Sequence, residues 1–172
     1  MIIAGIDPGS RFTGFGVIRV EGTRCSCVDF SCIAGTGVDQ SSLFADRLNK
    51  IYTELVRLLA SHKPAEIAVE SVFHAVNAKT ALKLGQARGV AVLAAAQTGA
   101  PLFEYSPLEV KKSVVGYGRA QKNQVQMMVR TLLNMKETPK PHDAADALAI
   151  ALCHAFNRSR DRRSPQRWRN LR

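Results

Sequence analysis

Residues 2–20, IIAGIDPGSRFTGFGVIRV, read as an apolar run ending in an acid, then a Pro8-Gly9 step, then a second apolar run. Pro-Gly is a strong turn signal. Gly14 and Gly16 keep one face of the second run, Thr13 to Val20, thin. The stretch therefore predicts a hairpin with Asp7 near its mouth, and residues 24–34 supply a third strand.

Downstream the pattern changes from meander to alternation. Ser41 and Ser42 are positioned to cap a helix whose Leu48, Ile51, Leu55, Leu58 and Leu59 recur at the helical period, and Pro64 stops it. Glu66 to Glu70 alternates as a strand, with Ile67 and Val69 on one side and Glu66, Ala68 and Glu70 on the other. Residues 77–98 make a long helix with Asn77 as cap, in which Ala81, Gly85 and Gly89 would allow close packing. A short strand, Leu102 to Tyr105, precedes helices from Pro107 to about Val115, from Lys122 to Leu133, and over residues 142–156. Three strands, helix, strand, helix, strand and then helices predict an α/β fold: a mixed five-stranded central sheet flanked by helices.

At 172 residues the chain fits one core. We expect a single domain over residues 1–156 and a basic, disordered tail over residues 157–172, NRSRDRRSPQRWRNLR. That tail holds seven Arg and one Asp, so it contributes +6 of the net +10 and leaves the body only mildly basic. Such a balance suits a polyanionic partner, because phosphate neutralisation drives nucleic-acid binding; a solvated tail without a partner would give the same count. Cys25, Cys27, Cys32 and Cys153 lack the spacing of a zinc or redox site and read as small core residues. With no signal-peptide pattern and no uninterrupted apolar span, the chain reads as cytoplasmic with no membrane contact.

Four carboxylates carry the chemical signal. Asp7 and Glu70 each end an apolar strand, and in an open α/β sheet the functional crevice lies beyond the strands' carboxyl ends. Asp143 and Asp146 are three apart in the first turn of the last helix, which places them on one face. Asp7 alone could serve the turn, Glu70 could be a surface acid, and the helix pair could simply answer the helix dipole. Gathered together they would repel, and oxygen ligands of this kind select Mg²⁺ or Mn²⁺.

Four segments, GIDPGSRFTGFGVI, VESVFHAVNAKTALKLGQARGV, FEYSPLEVKKSVVGYGRAQKNQV and PHDAADALAIALCH, closely resemble the RuvC family of bacterial Holliday-junction resolvases, in order from Met1 to about Phe156. The resemblance implies an RNase H-like fold, a homodimer, Mg²⁺ dependence with two ions per site and Mn²⁺ as a substitute, and paired nicks in four-way junction DNA alongside RuvA and RuvB. It places the family's metal-binding catalytic acids on Asp7, Glu70, Asp143 and Asp146, its junction-contacting aromatic on Phe73, and its basic residues near the scissile phosphate on Lys111 and Lys122. Some members carry His at the first helix position; here His142 directly precedes Asp143, which keeps the ligand role. On the residues alone Phe73 could be core, and both lysines could be a solvated helix face. Helix 77–98 is the candidate dimer contact, although packing on its own sheet would explain the same pattern. The rival readings are an ATP-binding sugar-kinase-like domain, a junction binder without catalysis, and a nuclease for RNA or another branched DNA. The first lacks a Gly-rich phosphate motif here, and the second would not need all four acids.

Overall fold

The computed structural model describes residues 1–34, 43–71 and 77–158. Their strands are β1 (Ile2–Asp7), β2 (Phe12–Glu21), β3 (Arg24–Ala34), β4 (Glu66–Glu70) and β5 (Leu102–Tyr105). The helices are α1 (Phe44–His62), α2 (Ala78–Ala96), α3 (Pro107–Val115), α4 (Lys122–Leu132) and α5 (His142–Arg158). The strands form one sheet in the order β3-β2-β1-β4-β5. The hairpin strands run antiparallel, and β4 and β5 run parallel to β1. This is the expected mixed sheet. It follows from tight turns joining the first three strands and helical crossovers joining the rest.

The two sheet faces bury separate clusters. Ile3, Ile18 and Ala68 point toward α3, α4 and α5, while Ile6, Phe15, Val17, Ile67 and Val69 point toward α1 and α2. β4 therefore divides its side chains as its alternation predicted. Helix α5 is the innermost helix: every residue from Ala147 to Cys153 is fully buried. It sinks that deep because glycines lie beneath it. A Cβ on Gly5 would stand 2.1 Å from the Ala147 carbonyl oxygen, so no side chain fits between strand and helix.

Several local expectations change. The close-packing role assigned to Gly85 and Gly89 is not realised, since a Cβ at either would meet nothing within 4 Å. Helix α2 buries the opposite side, through Ala87, Ala91, Ala94 and Ala95. Asn77 does cap α2, its side chain accepting from the Thr80 amide at 2.9 Å. The N-cap of α1 is Leu43; Ser41 and Ser42 lie outside the described residues. Helix α5 continues to Arg158, two residues past the expected boundary, because Arg158 pairs with Glu66 at 2.8 Å and Asn157 bonds Ser113 at 3.2 Å. All four cysteines are free thiols. Burial raises the pKa of each, to about 11 for Cys27 and Cys153, which keeps them unreactive. No described helix is long and apolar enough to cross a membrane.

Candidate active site

Asp7 is the last residue of β1, paired with Gly14 of β2, and the turn between them is tied by Thr13 Oγ1 donating to the Gly9 carbonyl at 2.9 Å. Glu70 is the last residue of the neighbouring parallel strand β4, whose Val69 pairs with Ile6. The two acids thus leave the sheet side by side at the carboxyl edge. Helix α5 crosses this edge with its first turn. Its Ala144, Ala145, Ala147 and Leu148 are buried on the sheet, and Asp143 and Asp146 are left half-buried over the crevice.

The structure brings Asp7, Asp143 and Asp146 together, with one carboxylate oxygen from each all within 4.8 Å of one another. Glu70 stands beside this trio, hydrogen-bonded to Asp7. A cavity of about 160 Å³ opens over the group, lined by Asp7, Glu70, Asp146, Lys111, Lys122 and the apolar Val110 and Val125. Lys122 Nζ reaches Asp146 Oδ2 at 2.8 Å. Lys111 is close enough to Glu70 to pull its pKa down.

The electrostatics are those of crowded acids. Burial, and then the charges of Glu70, Asp146 and Asp143, raise the Asp7 pKa well above the ordinary carboxylate range. Burial first, and Asp146 second, push Glu70 up to about 6. Burial pulls Lys122 down, but its bond to Asp146 and the charges of Asp143 and Asp7 more than compensate, so it stays protonated. Cys32, across the β2–β3 ladder from Gly14, also feels the acids: burial, then Asp143 and Asp7, hold it as a neutral thiol.

The donor set consists of carboxylates alone, which suits a hard divalent cation and not zinc. Among the described residues Lys111 and Lys122 offset part of this charge, yet the Asp7 and Glu70 pKa values remain raised, and a bound cation would offer stronger relief. His142 points elsewhere: its Nδ1 contacts the buried Gln126 side chain of α4. Phe73 lies outside the described residues. Sequence reasoning missed the apolar lining from Val110, Val125 and Ala149; their helical periodicity was visible, but not which wall they would form.

Known proteins resemble this chain in sequence and in fold. The family model described as crossover junction endodeoxyribonuclease RuvC matches residues 3–154. The crossover junction endodeoxyribonuclease RuvC of Ruminiclostridium cellulolyticum is 53% identical over 154 residues, covering 90% of this chain and 91% of that protein. The protein of the same name from Pelotomaculum thermopropionicum is 49% identical over 164 residues, covering 95% and 98%. Among solved structures, Thermus thermophilus RuvC in complex with Holliday junction substrate superposes with a TM-score of 0.84 at 36% identity, covering 92% of this chain and 94% of that one. The sheet order and the covering helices are those of the RNase H-like fold.

Proposed function

The chain belongs to the RuvC family of crossover junction endodeoxyribonucleases, and on that premise we propose how its own residues cut a four-way DNA junction. The activity is endonucleolytic resolution of Holliday junctions. The observation that carries the mechanism is the meeting of Asp7, Asp143 and Asp146 within 4.8 Å at the sheet edge. We assign these three, with Glu70, as the catalytic acids that hold Mg²⁺, two ions per site, with Mn²⁺ able to substitute. Held by these four carboxylates, such cations would supply Lewis-acid activation of water and offset the charge that develops during phosphodiester hydrolysis.

The chain's residues do the rest. Asp7, the last residue of β1, anchors the cluster against Asp143 and Asp146 of the first turns of α5. In the net hydrolysis a water oxygen bonds to phosphorus, the bond from phosphorus to the 3′ oxygen breaks, one proton of that water ends on the 3′ oxygen as a hydroxyl, and the other is lost to solvent as the 5′-phosphate ionises. Lys111 and Lys122 present ammonium groups on the wall of the same cavity, where they neutralise the scissile phosphate. Lys122 is held in place by Asp146 until DNA enters. Phe73, three residues beyond Glu70 in sequence, stacks on an unpaired base of the junction centre in this reading.

Paired symmetric nicks require two equivalent sites, and a two-fold dimer provides them. The outer face of α2 is its contact: Leu82 and Leu93 are exposed there, and Gly85 and Gly89 leave room for a close approach. RuvA and RuvB are the partners in branch migration, and the setting is cytoplasmic. Cleavage of a mobile four-way junction beside linear duplex tests the reading. Cuts confined to the junction with Mg²⁺, and none with chelator, are expected; duplex cutting at the same rate would refute structure selectivity.

A further inference from the structure

The link between α3 and α4, residues 116–121, carries chemistry that the acidic crevice does not use. Gly116, at φ 94°, reverses the chain after α3. Gly118 then packs back against the outside of that helix: a Cβ there would stand 2.2 Å from Leu108 Cδ1 and 3.6 Å from Lys112 Cε. The loop is thus folded onto the helix turn that also bears Pro107, Val110 and Lys111, which line the acidic cavity.

What this folding presents to solvent is unusual. Leu108 is 51% exposed, and Tyr117, which precedes Gly118 in the loop packed on Leu108, is 47% exposed. Lys112 and Arg119 are also exposed, and among the described residues neither side chain has an ion pair. Beyond the packing of Gly118 on Leu108 and Lys112, this apolar and aromatic surface edged by cations without ion pairs faces solvent. It is the composition that holds a nucleic-acid strand, with cations on the phosphates and an aromatic face on a base.

We propose that Leu108, Lys112, Tyr117 and Arg119 form a docking ledge for the DNA strand continuing from the scissile phosphate, in which the Tyr117 ring packs on an unpaired base and Lys112 and Arg119 take the flanking phosphates. Base faces are hidden in a continuous duplex and become available where stacking is interrupted, as at the exchange point of a four-way junction. The ledge therefore adds to selection of branched over linear DNA, through Tyr117, whereas its cations serve both. This inference rests on reading the acidic crevice as the cutting site.

Full-length protein, with chelator for binding and Mg²⁺ for cleavage, tests it on a mobile junction and on linear duplex. Tyr117→Ala should weaken junction binding about tenfold, within the range for loss of one base–aromatic stack. Duplex binding should stay within about twofold, KM should rise and kcat should hold. Tyr117→Phe should restore the wild-type values. Arg119→Gln and Lys112→Gln should each lower the slope of log affinity against log salt by about 0.9 on both DNAs. Junction binding and KM unaltered by Tyr117→Ala in protein that melts like wild type, or equal losses on junction and duplex, would overturn the ledge. Wild type that fails to cut the junction would instead undermine the crevice reading, so the two failures are separable.

Discussion

Gly14 of β2 and Asp143 of α5 meet backbone to backbone: a Cβ on Gly14 would stand 1.9 Å from the Asp143 carbonyl oxygen. The helix can bring its acids over Asp7 only because the strand beneath has no side chain at that point. A methyl group there must push the first turn of α5 away from the sheet. Gly14→Ala should destabilise the fold by about 1 to 3 kcal/mol, the usual cost of overpacking, and should lower junction cleavage by more than about tenfold, because misplacing a catalytic group by about 1 Å costs up to about 10²-fold. Ala60→Ser, at an exposed position of α1, is the control: it should change stability by no more than about 0.5 kcal/mol. Thermal unfolding and cleavage rate check both, and a Gly14→Ala protein that melts and cuts like wild type would contradict the packing argument.

The raised carboxyl pKa values make the metal-free protein sensitive to pH in a defined direction. Glu70 goes from 4.5 to about 6, by burial and then Asp146, and Asp7 moves the same way. Both folded values exceed the unfolded ones, so folding takes up protons. The stabilising contribution is complete below about pH 4 and is lost as pH rises through about 6. For Glu70 alone the shift corresponds to about 2 kcal/mol. Magnesium should therefore raise Tm more at pH 7.5 than at pH 5, and cutting should fall as pH drops through about 6. Equal stabilisation by Mg²⁺ at both pH values would show that it does not bind these acids.

Leu93 tests the dimer. It is 54% exposed on the face of α2 that carries Gly85 and Gly89, whereas Leu84 is half-buried within its own chain. Leu93→Glu should shift sedimentation from dimer to monomer with little change in monomer fold, and should replace paired nicks by single ones. An unchanged dimer would place the contact elsewhere.

Much of this site was legible before any coordinates. Asp7 and Glu70 close apolar runs, and strand-end acids meet when the strands are parallel neighbours, as β1 and β4 are. Asp143 and Asp146 share a helix face by spacing alone. The rest depended on contacts that local pattern does not encode. The thin face made by Gly14 and Gly16 was visible, but not that the helix lying on it would be α5. Gly85 and Gly89 looked like packing positions, yet the burial of α2 runs through its alanines on the other side. Glu66 read as a plain strand acid, whereas it accepts from Arg158 and bonds His154 Nε2 at 2.8 Å, 88 residues away in sequence. That buried histidine also bonds the Tyr105 hydroxyl at 2.8 Å, tying α5 to β4 and β5.

The most direct test replaces Asp7, the acid that both the strand end and the helix turn converge on. Asp7→Asn keeps the shape and removes one charge, so the protein should fold, should melt no lower than wild type without metal, and should bind a synthetic four-way junction with wild-type affinity in chelator. With Mg²⁺ it should leave that junction uncut. Cleavage at the wild-type rate would show that the chemistry resides somewhere other than this cluster of acids.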